Sequence, residues 1–82
     1  MKISIDLLKK YNMDSLDEYK KRHGDNLDTE ITFYQTFLIQ TDHIPNKIIE
    51  AQILNKEIED YTEILNYRQI ARNKINELYL LV

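Results

Sequence analysis

His23 and His43 are the first residues to weigh for chemistry, because imidazole titrates near neutrality and binds metals. They lie far apart in the chain, and neither stands an i, i+4 step from a second ligand. Thr41-Asp42-His43 offers one carboxylate and one imidazole, too few donors for a transition-metal site. Glu57, Glu59 and Asp60 cluster at an expected helix start, where the helix dipole already favours acids. Ser4 and Ser15 are the only serines, and both read as helix caps. The single glycine, Gly24, excludes a glycine-rich phosphate loop. The absence of cysteine excludes thiol chemistry and Cys-based zinc sites, and it fits a reducing, intracellular setting. The expectation is therefore no catalytic residue, no metal, no cofactor and no enzyme.

Tyrosine is used heavily, at positions 11, 19, 34, 61, 67 and 79. Such amphipathic rings suit either a partner-binding surface or the rim of a core. Charge is uneven along the chain. Residues 25–63 carry nine acids against Lys47 and Lys56, whereas residues 1–24 carry six bases and four acids. This is not the clustered Lys/Arg face that nucleic acid requires, so no nucleic-acid partner is expected. The longest apolar runs are a few residues, and Asp6 interrupts the N-terminal MKISIDLLKK. Neither a signal peptide nor a membrane span is expected, and the protein should remain in the cytoplasm of the cell that makes it.

These residues must be positioned by helices. An 82-residue chain has room for one domain, and hydrophobic residues at 43% with charged ones at 30% describe a globular composition. Gly24 and Pro45 stand alone as turn formers, too few for an all-β fold. The pattern predicts a single all-α domain over residues 1–82. Residues 1–24 form an N-terminal helix-turn-helix cap and residues 28–82 a hairpin core.

A short helix is predicted around Ile5–Tyr11, capped by Ser4, with Ile5 and Leu8 on one face. A second starts at the Ser15-Leu16-Asp17-Glu18 capping box and stops at Gly24. Met13, Leu16 and Tyr19 form its apolar side. The third spans Thr29–Gln40 behind an Asp28 cap. Its ITFYQTFLI stretch is also rich in strand formers, but no partner strand exists elsewhere in the chain. Pro45 disfavours helical geometry at Ile44, so a fourth helix is expected from Pro45 to about Leu54, with Thr41 and Asp42 as its caps. Asn55-Lys56-Glu57 reads as a turn. A capping box at Asp60-Tyr61-Thr62-Glu63 opens the last helix, which is expected to continue to the end.

In that helix Tyr61, Ile64, Arg68, Ala71, Ile75, Leu78 and Val82 repeat with heptad spacing. Ile75 and Leu78 are expected to be buried, and Leu65 and Tyr79 to widen the stripe. The seam should pack against the 45–54 and 29–40 helices, with self-association as the alternative. Arg68 is charged at a seam position. It can snorkel to solvent or pair with Asp42 or Glu50 across the hairpin, while Arg72, one turn on, should point the same way.

The segment from Phe37 to Leu78 resembles a unit of small phage and prophage tail-assembly or tail-fibre-assembly proteins. The residues carrying the resemblance are Phe37-Leu38, Thr41-Asp42, Pro45, Lys47, Glu50, Tyr61, Leu65, Arg68-Gln69, Ala71-Arg72 and Ile75-Asn76-Glu77-Leu78. It covers about half the chain and does not extend over residues 1–36. His43 stands where an aromatic commonly follows Thr-Asp, and Asn73 where Asp commonly follows the second Arg. The resemblance implies a non-enzymatic protein–protein interaction role in a tail or baseplate, inside a bacterial host or in the virion. Its partner would be a tail component or a second copy of the chain, with no cofactor. The alternative reading is a small phage-encoded adaptor that binds a host protein.

Overall fold

Apolar residues at i, i+3 and i+4 spacing need a helix to place them on one side, and the chain resolves that need five times. The computed structural model describes residues 3–58 and 60–81. They form α1 (Ile5–Lys10), α2 (Leu16–His23), α3 (Leu27–Gln40), α4 (His43–Leu54) and α5 (Thr62–Tyr79), with no strand among the described residues. The fold is all-α with a long C-terminal helix, and the ITFYQTFLI stretch is helical.

Local chemistry sets most of the boundaries. Ser15 Oγ accepts from the Glu18 N–H at 3.3 Å, and Gly24, at φ +105°, ends α2. The expected start of α3 is corrected. The cap is Asn26, whose Oδ1 accepts from the Thr29 N–H at 2.9 Å, and Asp28 lies inside the first turn. Asn26 is extended (φ −145°, ψ 171°), which aims its side chain back at the helix N-terminus. Ser4 occupies the cap position of α1 but makes no side-chain cap bond, and Ile5 faces outward while Leu8 is buried.

Pro45 does not start α4. The helix begins at His43, so Ile44 is helical despite preceding a proline. The first helical N–H groups have no carbonyl to reach, and a ring there removes no bond the helix would make. Asn55, left-handed at φ 52°, ends α4, and the Lys56 N–H closes onto the Ala51 carbonyl at 2.9 Å.

Asp60 opens α5 differently from a capping box. Its Oδ1 accepts from the Thr62 N–H at 2.9 Å and from the Thr62 hydroxyl at 2.6 Å, two residues on. These bonds hold the Asp60 carboxyl below its usual pKa. The helix ends at Tyr79, and Val82 lies outside the described residues.

Packing is centred on α3 and α5, which lie side by side, with α2 against the other flank of α3. The pair is antiparallel. Gln35 Nε2 meets the Tyr79 hydroxyl at 3.2 Å, whereas Thr41 and Leu38 meet Arg68. Phe37 and Ala71 are both fully buried. Ile3, Leu8 and Met13 join the same core as Phe33, so the N-terminal cap and the hairpin are not separate units. Tyr19 meets the Phe33 ring edge-on at 5.5 Å.

The seam of α5 is largely as its spacing predicts. Tyr61, Ile64, Arg68, Ala71 and Leu78 are buried. Ile75 is half-buried, and Leu65 and Tyr79 are exposed. Tyr67 takes the place the heptad reading missed, because a straight helix turns every 3.6 residues and drifts off a strict seam. The expected support from α4 is also corrected. Only Ile44 of that helix is buried, and the seam lies mainly on α3.

Truncating Ile64 or Leu78 to Ala should therefore cost about 2–5 kcal/mol in urea denaturation. Ile75→Ala should cost about 1 kcal/mol, the transfer share of a half-buried side chain. Equal losses at 64 and 75 would mean that α5 is rotated from this arrangement. Asp60 gives a second expectation. Its depressed folded pKa means a contribution present at neutral pH and lost as pH falls through that value. Asp60→Asn keeps an acceptor oxygen and should flatten the decline in melting temperature between about pH 5 and about pH 2. An unchanged acid limb would assign that decline to other groups.

Candidate functional site

Of the residues singled out in the second half of the sequence, Thr41, Asp42 and Arg68 meet at the elbow between α3 and α4. Helix α3 ends with no basic residue in its last turn, and its final carbonyls have no helical donors left. Thr41 answers the first of them. Its N–H and its hydroxyl both donate to the Phe37 carbonyl, at 3.1 and 2.8 Å. Arg68 answers the next from across the interface. Its Nη1 donates to the Leu38 carbonyl at 2.8 Å and to Thr41 Oγ1 at 2.6 Å. Thr41 is fully buried and Arg68 is 7% exposed. The guanidinium thus brings positive charge to the negative end of α3, as a basic last-turn residue of α3 itself would.

Asp42 is the weaker partner. Its Oδ1 lies 3.6 Å from Arg68 Nη2, and its side chain is 79% exposed. It stands at the cap position of α4 in a helical conformation (φ −65°, ψ −23°), and its carboxylate caps nothing. A cap residue needs extended backbone to turn its oxygen toward the next N–H groups, so the expected Thr41 and Asp42 caps are both corrected. Burial, then the charge of Arg72, pull the Arg68 pKa below its usual value, and Asp42 opposes them.

Other expected members lie apart. Glu50 is exposed and does not reach Arg68. Arg72 is exposed and donates from Nη2 to Gln69 Oε1 at 2.9 Å. One turn plus the remainder of 3.6 carries it about 40° further around α5, while Ala71 takes the inward position. Pro45 is half-buried at the elbow, and Tyr61, Ile75 and Leu78 belong to the core or its edge. The acceptor that sequence reasoning missed is the Leu38 carbonyl. Its signal was indirect: an apolar, uncharged last turn in α3 facing a basic seam residue in α5.

His23 and His43 rest on Tyr19 and Tyr11, with ring centroids 4.4 and 6.1 Å apart. No three potential metal ligands gather among the described residues. A cavity of about 120 Å³ lies between the N-terminal cap and α3, walled by Leu8, Leu16 and Phe33, with Ser15 and Asp17 at its edge. Its lining can hold an apolar group and supplies no acid–base pair. Burial pushes the Tyr34 hydroxyl above its usual pKa, so it remains a neutral phenol. No described helix is long and apolar enough to cross a membrane.

The elbow makes a graded prediction. Thr41→Val removes one of the two neutral acceptors of a buried guanidinium and should cost about 1–3 kcal/mol in chemical denaturation. Asp42→Asn should cost under about 1 kcal/mol, because an exposed carboxylate gains little from such a pair. The reverse order would make the ion pair the main tie at the elbow.

No protein-family model matches this chain, and neither do curated proteins or solved structures.

Proposed function

We propose that this chain is a non-enzymatic protein–protein interaction module of phage or prophage tail assembly, carrying a tail or baseplate component on the outer face of α4. The observation that supports this is the placement of Ile49 and Ile53. They stand one turn apart on the same side of α4, 54% and 77% exposed, and turned away from the buried Ile44. Isolated exposed isoleucines are common on proteins, but a pair on one helix face forms the anchor pattern by which a helix meets an apolar groove.

The tail assignment rests on the resemblance of residues 37–78. Its Thr41, Asp42 and Arg68 form the elbow from which α4 departs, so the resembling residues set the direction of the face that binds. Half-buried Tyr11 and Tyr19 and buried Tyr34, Tyr61 and Tyr67 serve the core and its rim, while Tyr79 is exposed on α5 with its hydroxyl against Gln35.

The test is capture by the tagged protein in cells assembling the phage, with bound proteins identified by mass. A tail or baseplate protein should be recovered. Ile53→Asp should lower that recovery about tenfold while circular dichroism stays unchanged, as expected when an apolar anchor is replaced by a charge. Recovery of a host enzyme with no tail component would overturn the proposal in favour of an adaptor that acts on the host.

A further inference from the structure

Lys47 and Lys56 are the only bases among residues 25–63, which hold nine acids. Both line one groove, together with Glu50 and Glu57. Among the described residues none of these four charges forms an ion pair. They surround an apolar floor of Ala51, Leu54, Ile58 and Tyr61, in which Leu54 is 51% and Ile58 42% exposed. An apolar strip rimmed by unpaired charges of balanced sign suits a surface carrying the same pattern.

The sign pattern fits a two-fold arrangement. Lys47 and Glu50 stand on α4, whereas Lys56 and Glu57 follow its end at Asn55, so each side of the groove holds one base and one acid. A two-fold axis through the floor can set each base against an acid of the other copy. In an isologous interface, if residue i meets residue j, then j meets i. Area points the same way. The chain exposes 5890 Å², where a compact protein of its mass would expose about 5200 Å². The excess, spread over the whole surface, is comparable with the roughly 800 Å² that each partner contributes to a standard interface. The radius of gyration, 14.2 Å, likewise exceeds the roughly 12 Å of a compact chain this long.

We propose that two copies of this chain associate about a two-fold axis through this groove, with Leu54 and Ile58 at its centre and Lys47–Glu57 and Glu50–Lys56 pairs crossing between copies. Lys47, Glu50, Ala51 and Leu54 share one face of α4, and Ile49 and Ile53 lie on another. Self-association is thus separable from the capture of a tail component.

Sedimentation equilibrium over a concentration series tests it. Wild type should approach twice 9.9 kDa at high concentration and fall toward 9.9 kDa on dilution. Lys56→Glu should weaken association about tenfold or more, and adding Glu50→Lys should restore it. Leu54→Asp should leave a monomer whose circular dichroism is unchanged. Should that variant unfold, the exposed Lys56 pair of variants decides alone. Ile53→Asp should leave the dimer intact, so a dimer that captures no tail protein refutes only the proposed function. A mass of 9.9 kDa at every concentration overturns the proposal, as does a swapped double variant no stronger than Lys56→Glu.

Discussion

A helix that ends inside a protein leaves carbonyls that must find donors, and α3 ends against α5 with nothing basic of its own to offer. Arg68 supplies the donor from the neighbouring helix. One Nη1 reaches both the Leu38 carbonyl and the Thr41 hydroxyl, and Thr41 in turn closes onto Phe37. Desolvating a guanidinium is costly, and its N–H groups need acceptors wherever they are buried. That requirement fixes the height of α5 on α3, because a slide by one turn would separate the charge from its carbonyl. Among the described residues no buried side-chain nitrogen or oxygen is left without a partner.

The surrounding side chains are the ones such a contact demands. Fully buried Ala71, one turn beyond Arg68, lets the two helices approach closely. Phe37, one turn before Thr41, fills the space beneath. Lysine would not serve as well as arginine. Its ammonium is a strongly hydrated point charge, whereas the planar guanidinium can address a carbonyl, a hydroxyl and a carboxylate at once. Asp42 offsets part of the charge, but it remains mostly in water, and the neutral acceptors hold the geometry.

The elements that repeat over many residues were legible from sequence, but of the caps read from side-chain type Ser15 makes the expected bond while Ser4, Asp28, Thr41 and Asp42 do not. Scarce glycine and proline, the Ser15 cap and the Gly24 stop described the helices correctly, although among the described residues no bond returns from the Glu18 side chain to complete a box. Asn26 and Asp28 are equivalent as cap types, and only the extended backbone at Asn26 separates them. Pro45 carried two opposite local signals, a fixed φ suited to a first turn and pressure on Ile44. The first prevailed because no N–H bond was lost at that place. At the site, Arg68 was identifiable as a misfit on an apolar stripe and Asp42 as near it in space. Its main acceptors were not identifiable as such. A backbone carbonyl has no residue type, and Thr41 had already been given a different task at the start of α4.

Residues on α4 face a different constraint. The helix contributes one buried residue, Ile44, and is held at its ends by the elbow on one side and the Asn55 turn on the other. Between those ties it shows aliphatic side chains to solvent on more than one face. A core built around α3 and α5 already uses Phe33, Phe37, Ile64 and Leu78, and α4 joins it through Ile44, beside the turn at Thr41, and through the edge of Ile48. Apolar area in α4 therefore adds little to folding of the single chain. It retains its full transfer free energy for association, roughly 25 cal/mol for each Å² removed from water. The charge distribution matches this division of labour. The stretch from Asp25 to Glu63 is strongly acidic except at Lys47 and Lys56, and those two bases stand where Leu54 and Ile58 are open.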